Sequence, residues 1–379
     1  MKYISAIVVC IALLTGCTNR GSFPSTRTAR ETDFVKEDIR YAKGFTIEKA
    51  GDHKLITVFN PWSSPDTLAT YHIYYNDSIK DPLSEFKIKI PINKIACLSS
   101  TNIGMISLLG DRKKISACSD PDLIYDSLLY QRYLDGQITD LGSANQFTVE
   151  TIVDHSPDLV MKYIFGARET VDEKLIEANI PVAYNLEFME IHPLGRVEWL
   201  KFVAAFLGKE KTADSLFDSI EDEYLRLVEL VSKETVKPSV LDGSSYRGVW
   251  YAAGGKSYSA KMYADAGADY YWSADNHRGS IPVSFEIIID KQADADFWFG
   301  PSTGNRTDLL EIEKRYNRLK SFREGNVYFF GKRVNPNGGL DYFESGVARP
   351  DILLKDLIWV FHPELLDSNY NSVYLEKIH

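Results

Sequence analysis

Residues 148–160 read TVETIVDHSPDLV and residues 284–296 read SFEIIIDKQADAD. Thr148, Glu150, Asp154 and Asp158 match Ser284, Glu286, Asp290 and Asp294 position for position, 136 residues apart. In each copy a Ser or Thr is placed to cap a helix, a Glu falls in the first turn, and the aspartates fall on one exposed face. One such acidic turn would only complement the helix dipole. Two copies, each running into an apolar strand, predict equivalent helices in two related halves of one fold.

The rest of the chain has the same rhythm. After Pro91 short apolar strands alternate with helices, through KIACL, NIGMISLLG, KISAC, DLIYDSLLYQRYL, DLVMKYI, TVDEKLIEAN and PVAY. That alternation predicts a parallel sheet covered by helices. A helical stretch over 194–234 follows, broken at Gly208. In its second part Leu216, Phe217, Ile220, Tyr224, Leu227, Val228 and Val231 form one apolar stripe, and a helix from Thr212 to Ser232 is about 30 Å long. Strands and helices then alternate to the C-terminus. The fold expected is α/β, with two Rossmann-like lobes, parallel sheets and one long joining helix. Ahead of it, residues 45–75 alternate about a Gly51–Asp52 turn as a small antiparallel unit. The expected division is a signal peptide at 1–16, a tether at 17–40, a small N-terminal β element at 41–90, a first lobe at 91–193, connecting helices at 194–235 and a second lobe at 236–379.

The first residues set the compartment. Lys2 precedes the apolar run Ile4–Leu14, which is too short to span a bilayer, and LTGC ends at Cys17. LTGC resembles a bacterial lipobox, which implies lipidation at Cys17 and anchoring through acyl chains. The polar TNRGSFPSTRTARET that follows reads as a tether. Thr18, where aspartate is an inner-membrane retention signal in some Gram-negative bacteria, tilts the expectation to the outer membrane facing the periplasm, with the inner membrane left open. Cys10 leaves with the signal. Cys97 and Cys118 read as buried small hydrophobes, and export leaves a disulfide open. The net charge of −10 excludes general nucleic-acid binding.

The order LSSTNIGMISLLG, CSDPD, FTVETIVDHSPDLV, long helix and VSFEIIIDKQADADFWF resembles the Fe/B12-type periplasmic binding proteins of ABC importers. LKSFREGNVYFF and ARPDILLKDLIWVFHPEL resemble that family's ending, so the likeness spans about residues 92–367. It implies two lobes on a rigid helix, a ligand held between them, and a monomer whose partners are an ABC permease and ATPase. It also implies that Glu150 and Glu286 dock onto permease arginines, a pairing that exposed carboxylates can make with guanidinium forks. Residues 41–90 and the long loop YQRYLDGQITDLG depart from the family pattern.

In parallel α/β sheets ligands sit at the C-terminal ends of the strands. The candidates there are Ser100, Thr101, Asn102, Asn145, Phe147, Lys162, Tyr163 and Arg168 in the first half. In the second they are Trp250, Tyr251, Lys256, His277, Arg278, Thr303, Lys332 and Arg333. Aromatics with a few cations suit a large, partly apolar, anionic chelate. The expected cargo is therefore a ferric siderophore-like chelate, with cobalamin or haem as the alternative and a surface interaction or sensory lipoprotein as the rival class. The seven histidines are scattered, without paired metal-ligand spacing. GGKS at 254–257 lacks the earlier Gly of a P-loop, since Trp250 stands there, and DGSSYRG is not a nucleophile elbow. No catalytic residue, resident cofactor or protein-held metal is expected, and the chain is read as no enzyme.

Overall fold

The computed structural model describes residues 34–63, 66–76, 84–143, 147–301 and 303–379. Cys17 and Asn145 lie outside them. Five strands come first: β1 (Val35–Lys36), β2 (Phe45–Ala50), β3 (His53–Phe59), β4 (Thr67–Tyr74) and β5 (Phe86–Lys89). They form one sheet in that order, antiparallel except for the parallel β4–β5 pair. Gly51, at φ +59°, makes the two-residue turn between β2 and β3.

The first lobe contains β6 (Ile95–Cys97), α1 (Ser100–Leu108), β7 (Ile115–Cys118), α2 (Ser127–Leu134) and β8 (Thr139–Asp140). It continues with α3 (Val149–His155), β9 (Leu159–Lys162), α4 (Thr170–Glu177) and β10 (Val182–Tyr184). Its sheet is wholly parallel, in the order β10-β9-β6-β7-β8. Cys97 and Cys118 face each other across β6 and β7 as free, buried thiols, as their apolar settings implied. Burial raises the Cys118 thiol to about 12, which keeps it protonated and unreactive.

Helices α5 (Pro193–Leu207) and α6 (Glu210–Val231) connect the lobes, with Gly208 between them in the left-handed conformation. On α6, Phe217, Ile220, Tyr224, Leu227 and Val231 of the expected stripe are buried, and Leu216 and Val228 are half-buried beside them. Helix α5 is apolar nearly all round and therefore needs cover on every side. The N-terminal sheet covers one side of it, with Phe45 4.7 Å from the Trp199 ring and Tyr71 5.4 Å from Phe206, and it reaches the first lobe where the Tyr184 N–H of β10 donates to Tyr71 Oη at 3.0 Å. The segment leading into β2 is clamped by acids of the same helix region. The N–H groups of Arg40, Tyr41 and Ala42 donate to buried Glu198 at 2.8–2.9 Å, and those of Lys43 and Gly44 donate to Glu190.

The second lobe opens with β11 (Ser239–Asp242), β12 (Ser244–Tyr246), β13 (Val249–Ala253), α7 (Tyr258–Asp265) and β14 (Asp269–Tyr270). Next come β15 (Ser280–Ser284), α8 (Phe285–Gln292), β16 (Phe297–Phe299), α9 (Arg306–Ile312) and α10 (Lys320–Arg323). Last are β17 (Val327–Phe329), α11 (Asp341–Glu344), α12 (Pro350–Phe361) and β18 (Glu376–Lys377). Its main sheet, β14-β11-β16-β17-β18, is parallel except at β18. Strands β12, β13 and β15 form a separate antiparallel sheet where the sequence was read as cleft loop.

Both copies of the repeat open helices as expected. Thr148 Oγ1 accepts the Thr151 N–H and Ser284 Oγ accepts the Ile287 N–H, each at 3.4 Å. The strand after each helix pairs in parallel with the first strand of its own lobe, β9 with β6 and β16 with β11. One match shifts. Asp158 accepts the N–H groups of Asn93 and Lys94 just ahead of β6, and the residue that does this in the second lobe is Asp296, on the Ser239 N–H. The second copy runs two residues further from cap to strand, so Asp158 corresponds in space to Asp296 and not to Asp294.

Candidate functional site

A cavity of about 360 Å³ opens at the C-terminal ends of β6, β7 and β9. The first lobe contributes Leu98, Ser99, Ser100, Ser119, Asp120 and Tyr163, and the second contributes Gly338, Gly339, Leu340, Phe343 and Glu344. Ser99 caps α1, so the helix N-terminus and the three serines Ser99, Ser100 and Ser119 border the same space. Beyond Tyr163 the rings of Phe165 and Phe188 stack edge-on, and Phe165 is 70% exposed. Phe343 is also largely exposed on the opposite wall.

The two walls are fastened to one another. Asn335 Nδ2 donates to the Asp122 and Ile124 carbonyls at 2.7 and 3.0 Å, and Asn337 Nδ2 donates to Tyr130 Oη. Ser100 Oγ donates to the Phe343 carbonyl at 3.2 Å. The Glu344 carboxylate, 4% exposed, accepts the Tyr125 and Asp126 N–H groups at 2.8 and 2.9 Å. Burial raises its pKa to about 7, against the pull of those two donors. Because Glu344 takes these N–H groups, α2 starts at Ser127 and not at Asp122, where the apolar pattern had placed its start. Two glycines permit the approach: a Cβ on Gly104 would fall 1.8 Å from the Glu344 carbonyl oxygen, and one on Gly339 would fall 1.9 Å from that of Leu123. NPNGG at 335–339, dense in Asn and Gly as turns are, supplies Asn335, Asn337 and Gly339 to this contact, which the strand-end pattern does not indicate. Across Glu344 lies a second groove of about 610 Å³, lined by Arg112, Arg333 and Arg349 with Asp126 and Asp341.

The expected ligand residues divide. Ser100 and Tyr163 line the main cavity, while Phe147, Lys162 and Tyr163 line an adjoining one of about 110 Å³. Lys256, His277 and Arg278 are exposed and share one loop cluster, tied by the Lys256 N–H to the His277 carbonyl at 3.0 Å. The backbone N–H of His277, then its ring, holds the Asp275 carboxyl below the usual range. Arg278 also lines a cavity of about 350 Å³ with Lys43, Asn60 and Glu190. Tyr251 projects from β13, and Thr303 closes a turn by accepting the Asn305 N–H.

Others are occupied elsewhere. Trp250 belongs to the core: it is fully buried, its Nε1 donates to the Asp242 carbonyl at 2.8 Å, and it packs on Trp298. The cause is the β12–β13 hairpin, whose period of two turns Trp250 and Ala252 inward and Tyr251 outward. Asn102 is on the buried face of α1, accepting from Asn185 Nδ2, and Thr101 sits against Ser99 Oγ. Lys162 is paired with Asp172 at 2.8 Å and with Glu169. Arg168 is drawn sideways to Glu85 and the Leu68 carbonyl of the N-terminal sheet. Lys332 bonds Asn371 and Ser372, and Arg333 pairs with Asp341 at 2.6 Å. Among the described residues the cavity lining holds no group of three metal-ligating side chains.

On the outer surface Glu150 and Glu286 are both exposed in the first turns of α3 and α8. Glu286, 74% exposed, differs by meeting Arg315 Nη1 at 2.8 Å. Its own backbone N–H, then Arg315, holds its carboxyl below the usual range.

Two α/β lobes on connecting helices, with a cavity walled by both, define a ligand-capturing binding protein. The family described as periplasmic binding protein matches residues 95–334, and the chain belongs to that family, in line with the Fe/B12-type resemblance. Its function class is substrate binding. An uncharacterized lipoprotein of Methanocaldococcus jannaschii is 25% identical over 299 residues, covering 76% of this chain and 70% of its own length. A second uncharacterized lipoprotein of that organism is 28% identical over 259 residues, covering 66% of this chain and 64% of its own. The fold matches a periplasmic heme-binding protein from Pseudomonas aeruginosa, with a TM-score of 0.59, 16% identity, and coverage of 76% of this chain and 99% of that one. It also matches Helicobacter pylori CeuE with Ni(II) bound, with a TM-score of 0.57, 18% identity, and coverage of 77% and 91%.

Proposed function

We propose that this chain is the lipid-anchored binding protein of an ABC importer, capturing a metal chelate between its lobes and presenting it to a permease. The observation that carries the reading is the cavity shared by both lobes, with polar hydroxyls at its base and aromatic walls at Tyr163 and Phe343. Such a lining suits a ligand with a polar, metal-bearing centre and apolar edges. Glu150 and Glu286, one on each lobe and each in the first turn of a capped helix, are the proposed permease contacts. Cys17 is the proposed lipid site, and the lipoprotein relatives support it.

For the cargo, the exposed Lys256 and Arg278, in one loop cluster with His277, are the proposed contacts of an anionic ferric chelate. A second reading has its own support: the charged side chains lining the cavity are Asp120 and Glu344, which favours a chelate of low negative charge such as cobalamin or haem. Tryptophan-fluorescence titration of residues 18–379 against ferric catecholates, ferric hydroxamates, haem and cobalamin separates them. Saturation below micromolar by one ferric siderophore supports the first reading, and by haem or cobalamin the second. No response to any of the four would remove the chelate assignment.

A further inference from the structure

The cavity of about 350 Å³ beside Arg278 is walled by three parts of the chain. Phe59 and Asn60 come from the end of β3, Leu186, Met189 and Glu190 from the stretch after β10, and Arg278 from the loop ahead of β15. The N-terminal sheet, which departs from the family pattern, thus meets both lobes here. Lys43 completes the lining. Lys43 and Arg278 are exposed, and among the described residues neither forms an ion pair with Glu190 or with any other acid. Glu190 is 7% exposed and held fast on one side. Its Oε1 accepts the Lys43 and Gly44 N–H groups at 2.9 Å and Trp199 Nε1 at 3.0 Å, while Oε2 receives no donor among the described residues. A buried carboxylate ordinarily has both oxygens engaged, so an open one on a cavity wall calls for a donor from outside the chain. Asn60 is set in a similar way: its Oδ1 accepts the Trp62 N–H at 3.0 Å, which leaves the Nδ2 donors free.

We infer that this cavity binds a small dicarboxylic acid that carries a hydrogen-bond donor, a hydroxyl or an ammonium, on its chain. Lys43 and Arg278 take the carboxylates as charge-assisted pairs, and Asn60 Nδ2 adds a neutral donor. Glu190 Oε2 accepts from the hydroxyl or ammonium. Phe59, Leu186 and Met189 cover the carbon chain. An inorganic anion would satisfy the two cations but meet Glu190 as a like charge. Of these residues only Arg278 is shared with the proposed chelate contacts, so the inference goes beyond the cargo reading. It also gives the N-terminal sheet a part in recognition, since β3 and the segment ahead of β2 carry Asn60 and Lys43 to the lobes.

The test titrates residues 18–379 calorimetrically with L-malate, L-aspartate, succinate and inorganic phosphate. One equivalent of malate or aspartate should bind with a dissociation constant of about 0.1 mM or tighter, and succinate, which lacks the donor, at least about fivefold more weakly. Malate as the tighter of the two identifies the donor as a hydroxyl, and aspartate as an ammonium. Lys43→Gln and Arg278→Gln should each weaken binding at least about fivefold, and both should unfold at the parent's temperature because the side chains are exposed. Absence of binding up to about 5 mM of either acid would overturn the assignment. So would binding that neither substitution weakens, or succinate or phosphate binding as tightly. Because no metal chelate enters the titration, a failure here leaves the cargo reading standing.

Discussion

Replacing Gly104 by alanine tests the contact that fastens one lobe to the other. The new methyl carbon would lie 1.8 Å from the Glu344 carbonyl oxygen and 2.5 Å from its carbon, where ordinary contact begins near 3.4 Å. Both atoms are backbone, so no side chain can rotate away, and α1 must separate from α11 by about 1.6 Å. Overpacking of this kind costs about 1–3 kcal/mol. The same displacement pulls the Glu344 carboxylate from the Tyr125 and Asp126 N–H groups, worth about 1 kcal/mol each or more. We expect Gly104→Ala to lose about 3 kcal/mol, read from urea unfolding followed by tryptophan fluorescence. Gly279→Ala, where a Cβ meets nothing within 4 Å, is the control and should stay within about 0.5 kcal/mol. If Gly104→Ala unfolds at the same urea concentration as the parent and the control, the close approach of α1 and α11 is wrong.

Further outcomes follow from single groups. Glu344 has a folded pKa of about 7 against an ordinary 4.5, so its contribution is fully present below pH 4.5 and is lost as pH rises through 7. Between pH 5 and 8 the parent should lose up to about 3 kcal/mol more stability than Glu344→Gln, and equal losses would refute the assignment. Glu198→Ala strands three N–H groups of residues 40–42, that of Ala42 fully buried, and should cost about 2–4 kcal/mol and open that segment to protease first. Arg315→Ala should leave the melting temperature unchanged and, on the proposed docking role of Glu286, tighten binding to the permease. Charge reversal at both Glu150 and Glu286 should abolish uptake while ligand titration stays normal; normal uptake would remove the docking proposal.

Much of the architecture was legible because it rests on periodicity. The α6 stripe, the break at Gly208, the Gly51 hairpin and the two capped helices all follow from spacing and local chemistry. The site was legible only in part, because sequence position gives the end of a strand but not what a side chain meets there. Arg168 and Lys162 stand at that end, yet Glu85 and Asp172, 83 residues before and 10 residues after them, already hold them. Trp250 was lost to a hairpin that a Ser-, Gly- and Tyr-rich stretch disguised as loop. Asn335, Gly339 and Glu344 were missed because their partners lie more than 200 residues away.

The clamp on residues 40–44 bears on how the molecule carries load. Beyond its bonds to Glu198 and Glu190, Arg40 reaches α6, pairing with Asp218 at 2.5 Å and Glu221 at 2.6 Å. The N-terminal segment is thus riveted to both connecting helices, to α5 through Glu198 and to α6 through Asp218 and Glu221. A pull transmitted along that segment is therefore shared between the two helices that join the lobes. Tension at the N-terminus would then reach the lobes through the helices that join them, and both lobes together.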